Sequence, residues 1–178
     1  MQSLRDFNTA VTDTAVFLDF DGPASNMRTV FTYGDILSVD PLVMHFLNRI
    51  CRDANARVVC TSRRAFTTGD FDSLYHETKT LFEKAAFDWR YMHPDWTVNK
   101  PCWENRKERI QNYLSEHPEI NHYVIIDDEY VDLPNLVLVD ELEGISGDHM
   151  RQIADILGIP RRPDHRYSDE KQMSFNFI

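Results

Sequence analysis

The chain has 178 residues, of which 42% are hydrophobic and 27% are charged, and its formal net charge is −10. This length predicts a single domain, because it provides enough residues for one complete hydrophobic core but not for two. The apolar runs are too short to span a bilayer, which excludes a transmembrane protein, and the negative charge opposes non-specific attraction to nucleic acid.

The first predicted element is a buried strand that ends in carboxylates. Residues 15–18 form a continuous apolar run, and Asp19 follows them; this pattern is typical of a strand buried on both faces of a parallel sheet. We predict a loop through 33–35, and then a helix that Ser38 or Asp40 caps, with a proline at its first position. The residues predicted to point inward from this helix are Leu42, Val43, Phe46, Leu47 and Ile50.

The remaining predicted elements alternate between strands and helices. They are a strand over 57–60, a helix over 72–86, an irregular segment or short strand over 89–103, a helix over 104–114, strands over 123–126 and 136–139, and a helix from Ser146. Such alternation is typical of an α/β domain with a parallel sheet. We expect one domain over 1–160 and a separate C-terminal tail over 161–178.

Polar residues follow three of the predicted strands. In an open parallel sheet the ligand crevice lies at the carboxyl ends of the strands, where the strand order reverses. Four carboxylates in one crevice repel one another unless a cation lies among them, and hard oxygen ligands suit Mg²⁺ better than zinc. The sequence therefore predicts a magnesium site. The polar residues are Asp19 and Asp21, Thr61 and Ser62, and Asp127 and Asp128.

Four segments resemble the motifs of the haloacid dehalogenase (HAD) superfamily. VFLDFDG, with Asp19, Asp21 and Gly22, is similar to motif I, and VVCTS is similar to motif II. YVIIDDE resembles motif IV, and the helix before it supplies a basic residue, Arg106 or Lys107, as motif III does. Each motif alone is weak, but four in this order on strand ends form a fairly specific combination.

The resemblance is closest to the small HAD domain of RNA-repair proteins of the Swiss Army Knife type. It covers most of 18–157, through segments such as RKERIQNYL, VIIDDE and VLVDELEGIS. It implies an α/β fold, a HAD-like Rossmannoid three-layer sandwich with a central parallel sheet. The intervals between the motifs hold little beyond the predicted elements, so we expect little or no cap domain and an open site.

The resemblance also implies a role for each motif residue. Asp19 would attack phosphorus and become an aspartyl-phosphate, and Asp21 would protonate the leaving oxygen and then activate water. Thr61 would hydrogen-bond a phosphoryl oxygen, and we expect Ser62 and Arg63 to contact the substrate, although an Arg63-Arg64 pair is more often a surface feature. The metal ligands would be Asp19, Asp127, the backbone carbonyl of Asp21 and, directly or through water, Asp128.

Motif III has three candidates in this chain, Lys100, Arg106 and Lys107. Arg106 is favoured because it precedes Ile110 by four residues, as the basic residue of the family does, and Lys107 is close behind. The basic residue would balance the charge on the nucleophile and on the transition state.

Two hypotheses of function follow. The first is a Mg²⁺-dependent phosphomonoesterase that acts on a phosphorylated nucleotide or nucleic-acid end. The second is a non-catalytic HAD-like module that binds nucleic acid or a protein partner.

Aromatic and basic residues over 89–103 either stack a base or, as is more common, pack at the edge of the core. The acidic run 140–143 is expected to be a solvated loop.

The chain ends carry weaker signals. Met173, Phe175 and Phe177 would share one face of an extended tail, which predicts either a strap over the core or a peptide that docks on a protein partner. The N-terminal residues lack the apolar segment of a secretion signal, and the three cysteines are odd in number and lack metal-ligand spacing. We therefore expect a cytoplasmic protein with reduced cysteines.

Overall fold

The computed structural model describes residues 12–34, 38–62, 71–98 and 105–160. The predictions for Arg63, Arg64, Lys100 and the tail 161–178 fall outside these ranges. No helix in the described ranges is both long and apolar enough to cross a membrane.

The described residues form a sheet of five parallel strands and a set of helices. The strands are β1 (Thr14–Leu18), β2 (Ala56–Cys60), β3 (Met92–Thr97), β4 (His122–Asp127) and β5 (Leu136–Leu138). The helices are α1 (Met27–Tyr33), α2 (Pro41–Asp53), α3 (Phe71–Lys84), α4 (Arg106–Glu116) and α5 (Gly147–Ile156), with a 3₁₀ turn at Trp89–Tyr91. The strand order is β3-β2-β1-β4-β5, so the predicted α/β fold with a central parallel sheet is confirmed.

Alternate residues of each central strand point to opposite faces of the sheet. Each face therefore has its own hydrophobic core, and helices cover both. Val16 and Leu18 belong to the larger core, which α2, α3 and α5 cover. Ala15 and Phe17 belong to the smaller core, where Ile110 and Tyr113 of α4 pack with residues from loops. Among the described helices, α4 alone therefore covers this second face.

Two local predictions are wrong. The predicted loop after β1 contains α1, which Asn26 caps by accepting a hydrogen bond from the backbone N–H of Thr29. Its residues are largely aromatic and β-branched, types with low helix propensity, so the sequence pattern does not reveal the helix. Leu42, predicted to point inward from α2, is 59% exposed. It lies in the first turn, where its backbone N–H donates to the capping carboxylate of Asp40 (2.8 Å).

Candidate active site

The strand register brings three predicted residues to one point of the sheet edge. β1 pairs with β2 on one side and with β4 on the other, and in both pairs Leu18 is the last residue in register. The backbone N–H of Asp19 donates to the carbonyl of Ile126 (2.9 Å), and that of Thr61 donates to the carbonyl of Leu18 (2.9 Å). Asp127 ends β4. The three side chains thus lie at the carboxyl ends of three neighbouring strands. The strand order reverses at β1, and in open parallel sheets ligands usually bind at such a reversal point.

Asp19, Asp127 and Asp128 form a carboxylate cluster. One oxygen of each lies within 4.8 Å of one oxygen of each of the others. Asp19 is 3% exposed and Asp127 is fully buried, yet Asp19 Oδ1 and Asp127 Oδ2 have no hydrogen-bond partner among the described residues. Buried carboxylate oxygens without a donor cost free energy, and a cation among them removes that cost. A set of clustered carboxylate oxygens suits a hard ion such as Mg²⁺, so these residues fit the predicted metal.

Arg106 is the cation that the cluster already contains. Its Nη1 lies 3.2 Å from Asp19 Oδ2 and also contacts Asp127 Oδ1, while Nη2 lies 3.7 Å from Glu129 Oε2. Arg106 begins α4, directly after Asn105, which caps the helix in a capping box. The cap fixes where the helix starts, and this places the guanidinium against the ends of β1 and β4.

Lys107 is not brought to the cluster. Its Nζ lies 2.7 Å from Asp132 Oδ2, and both side chains are substantially exposed. Adjacent helical residues point in directions about 100° apart, so only one of the two basic neighbours faces the carboxylates. Of the two motif III candidates that the structure describes, Arg106 has the geometry expected of that position.

Burial and neighbouring charges shift the pKa values of Asp19, Asp127 and Arg106. Burial raises the pKa of Asp19 to about 7; Arg106 opposes this shift, while Asp127 and Asp128 add to it. Burial also raises the pKa of Asp127, against the effect of Arg106. Burial alone would lower the pKa of Arg106, but Asp19 and Asp127 outweigh it, and the pKa is raised. A bound divalent cation would favour the ionised form of both carboxyl groups.

Thr61 and Ser62 are buried at the carboxyl end of β2. Thr61 Oγ1 has no hydrogen-bond partner among the described residues. Its hydroxyl group is therefore available to a bound phosphoryl oxygen, and a buried polar atom of this kind needs a partner. The predicted substrate contact Arg63 lies outside the described residues.

The turn after β1 approaches the cluster through Gly22. Asp21 forms an isolated bridge with Ser25, and the N–H of Gly22 donates to the carbonyl of Ser25 (2.8 Å). Gly22 has a φ of +85°, and a Cβ at this position would lie 2.6 Å from Cγ of Asp128. Both the left-handed backbone and the close approach require glycine here.

Gly22→Ala is expected to destabilise the chain by about 2 kcal/mol more than Gly158→Ala. Gly158 also has a positive φ, +64°, but no atom lies within 4 Å of its ideal Cβ, so alanine there brings only the backbone strain of about 1–2 kcal/mol. At Gly22 the clash with Asp128 adds a cost typical of overpacking, about 1–3 kcal/mol. Urea unfolding of both variants measures the difference, and equal destabilisation would show that Asp128 moves aside freely.

Sequence reasoning missed the part of the site that the 140–144 turn provides. The side chains of 140–143 are exposed as predicted, but a Cβ at Gly144 would lie 3.2 Å from the carbonyl oxygen of Gly22 and would clash with Asn26. The N–H of Arg28 donates to the carbonyl of Leu142 (3.2 Å). The 140–144 turn thus packs closely against the Gly22 turn. The glycine directly after the acidic run was the available signal, since it marks a turn or a close backbone approach.

The aromatic residues of the 89–98 region pack into the core. Trp96 is 2% exposed, and Trp89 packs against the larger core while its Nε1–H donates to the hydroxyl of Tyr75 (2.9 Å). Arg90 pairs with Asp88 at the surface. The core-edge alternative is therefore favoured over base stacking for the described residues of this region.

Comparison with known families identifies a match over most of the chain. The sequence model of the HAD domain in Swiss Army Knife RNA repair proteins matches residues 15–150, which include the carboxylate cluster and Arg106. Neither the curated proteins nor the solved structures contain a match.

Proposed function

The chain belongs to the family of HAD domains in Swiss Army Knife RNA repair proteins, and we propose that it is a Mg²⁺-dependent phosphomonoesterase acting on the terminal phosphate of a nucleotide or nucleic acid. Membership in this family supports phosphatase-type hydrolysis in general. The observation that carries the specific proposal is the buried Asp19 carboxylate, whose Oδ1 lacks a hydrogen-bond partner in the described chain while Oδ2 is held by Arg106.

In the proposed first step Asp19 Oδ1 attacks the phosphorus atom. An Asp19–phosphorus bond forms, the bond from phosphorus to the leaving oxygen breaks, and Asp21 gives that oxygen its proton. In the second step Asp21 takes a proton from water, the water oxygen attacks phosphorus, and the bond to Asp19 breaks. Inorganic phosphate leaves, and the Asp19 carboxylate is restored.

The surrounding groups position the phosphoryl group and offset its charge. The Thr61 hydroxyl donates to a phosphoryl oxygen, and Arg106 holds the second oxygen of Asp19 while it offsets negative charge in the transition state. Asp19, Asp127, Asp128 and the carbonyl of Asp21 would hold the ion. When bound, Mg²⁺ would supply the positive charge that lets an anionic nucleophile approach an anionic phosphate.

Two considerations bear on the substrate. The matched family is named for RNA repair, and this supports a polynucleotide end. The net charge of −10 favours a small nucleotide instead. A binding module without catalysis is not favoured, because the nucleophile, the acid and the metal carboxylates are all present. The one-domain boundary at about residue 160, a docking role for the tail and a cytoplasmic location remain part of this proposal.

The proposal is tested by phosphate release from 3′- and 5′-phosphorylated mononucleotides and oligonucleotides, with Mg²⁺ and with a chelator. We expect release from at least one substrate class in Mg²⁺ and none after chelation. If the substrate is a polynucleotide, kcat/KM falls steeply between about 50 and 200 mM salt, whereas a mononucleotide shows a weak dependence. Failure to release phosphate from any substrate in Mg²⁺ would contradict the proposal.

A further inference from the structure

A second cluster of metal-ligand side chains lies away from the carboxylates. It contains His93 of β3, His117 at the end of α4 and Glu119 in the following turn. One ligand atom of each lies within 4.8 Å of one ligand atom of each of the others. Arg106 is at the opposite end of α4, and a helix of 11 residues is about 16 Å long. This cluster is thus separate from the proposed catalytic site.

His93 is held in place through Nδ1. The backbone N–H of Asp95 donates to Nδ1 (3.2 Å), and the Tyr113 hydroxyl lies 2.6 Å from the same nitrogen and 2.6 Å from the carbonyl oxygen of Asp95. These contacts fix the orientation of the imidazole ring. A metal ion bound at Nε2 would place the ring proton on Nδ1, from where it donates to the Tyr113 oxygen in place of the contact with the Asp95 N–H.

His117 has a carboxylate at each ring nitrogen. Its Nδ1 lies 2.9 Å from Glu119 Oε1, and its Nε2 lies 3.2 Å from Asp95 Oδ2. A neutral imidazole donates to only one of these two carboxylates. The other carboxylate then faces a nitrogen lone pair, an arrangement that repels unless a second proton or a cation lies between them.

We propose that His93, His117 and Glu119 bind a divalent transition metal ion of the zinc type, with the Asp95 carboxylate as a further donor. Two imidazoles and one carboxylate are a common ligand set for zinc, whereas Mg²⁺ prefers oxygen ligands alone. Zinc–ligand bonds of about 2.0–2.1 Å place tetrahedral ligand atoms about 3.4 Å apart. The present separations, up to 4.8 Å, close by side-chain rotation, since Glu119 is 34% and Asp95 70% exposed.

The ion would connect β3 to the end of α4. His93 is buried and belongs to the strand, while His117 ends the helix that covers the smaller core. A metal bound here therefore joins two elements that otherwise meet through packing, the Tyr113 hydrogen bonds and the contact of His117 with Asp95. This role is independent of the proposed phosphatase activity.

The test is calorimetric titration of the full chain with Zn²⁺ in excess Mg²⁺, which occupies the carboxylate cluster. We expect one equivalent of Zn²⁺ to bind, with affinity reduced at least tenfold in His117→Gln and in Glu119→Gln. His45→Gln, an exposed histidine of α2, is the matched control and should bind as the wild type does. Asp127→Asn should also keep this equivalent, since it changes only the other cluster.

Absence of Zn²⁺ binding in the wild type overturns the proposal. Binding that persists unchanged in Glu119→Gln and His117→Gln overturns it as well. Glu119 is partly exposed in a turn, so its variant keeps the test decisive even if His117→Gln fails to fold. A complementary measurement is the unfolding temperature, which Zn²⁺ should raise in the wild type, in His45→Gln and in Asp127→Asn, but not in His117→Gln or Glu119→Gln.

Discussion

Asp19→Asn is expected to reduce phosphate release on the order of 10³-fold or more, measured as the initial rate on the best substrate in saturating Mg²⁺. The amide has nearly the same shape as the carboxylate but carries no negative charge, so it neither forms the covalent intermediate nor binds the metal as an anion. The loss should appear in kcat, because the substituted atom forms a bond during the reaction.

The control is Asp132→Asn, the same chemical change at an exposed carboxylate that pairs with Lys107. It should leave the rate within about twofold, since exposed ion pairs contribute little to stability or to a distant site. An Asp19→Asn enzyme as active as Asp132→Asn would rule out the aspartyl mechanism.

The free energy of unfolding of Asp19→Asn shows whether a loss of activity comes from lost chemistry or from lost folding. The pKa of Asp19 is about 7 in the folded chain and 3.8 in the reference state, so the folded state binds this proton more tightly. The stabilisation is complete below pH of about 4 and is lost as the pH rises through about 7. Without divalent ions, Asp19→Asn should therefore unfold at a higher urea concentration than the wild type at pH 8. A lower urea midpoint for Asp19→Asn than for the wild type would show that burial of the ionised Asp19 carboxylate does not destabilise the folded chain.

Arg106→Ala is expected to lower kcat/KM by about 10²–10³-fold, because it removes a cation that contacts the nucleophile. It should also destabilise the metal-free chain by about 3–5 kcal/mol, the usual cost of removing one partner of a buried ion pair. Lys107→Ala is the matched control on the same helix. Its exposed pair with Asp132 predicts a change of less than about 1 kcal/mol and a nearly unchanged rate.

Arg106→Lys addresses the risk that the alanine variant fails to fold. Lysine keeps the positive charge but lacks the planar guanidinium, whose Nη1 contacts Asp19 and Asp127 while Nη2 reaches Glu129, so intermediate activity is expected. If Lys107→Ala lost as much activity as Arg106→Ala, the assignment of the basic residue to Arg106 would be wrong.

The strand ends that build the site were predictable because they follow from local patterns. An apolar run such as 15–18 can only be buried, and the polar residue after it must then lie at the edge of the sheet. The choice between Arg106 and Lys107 was less secure from sequence, since both are long basic side chains at the start of one helix. The cap at Asn105 and the packing of Ile110 and Tyr113 decide which of them faces the carboxylates.

The features that sequence reasoning missed depend on contacts between distant segments. Helix α1 is short and built from residues with weak helix propensity, so its cap and its surroundings determine it. The support of the Gly22 turn by Gly144 joins positions more than a hundred residues apart. Neither helix α1 nor the packing of Gly144 on the Gly22 turn leaves a periodic pattern of apolar residues in the sequence. Such periodicity is the main signal of secondary structure in a single sequence.

Among the described helices α4 alone covers one sheet face, and this links the proposed catalysis to partial unfolding. Detaching one helix from the smaller core exposes less apolar surface than unfolding the whole domain, so this opening costs less free energy and its amide hydrogens exchange with solvent sooner than those of β1 and β4. Arg106 leaves the carboxylates in every such opening. If Arg106 acts in catalysis as proposed, only molecules with this helix docked are competent for turnover, and heating should inactivate the proposed phosphatase before the sheet itself melts.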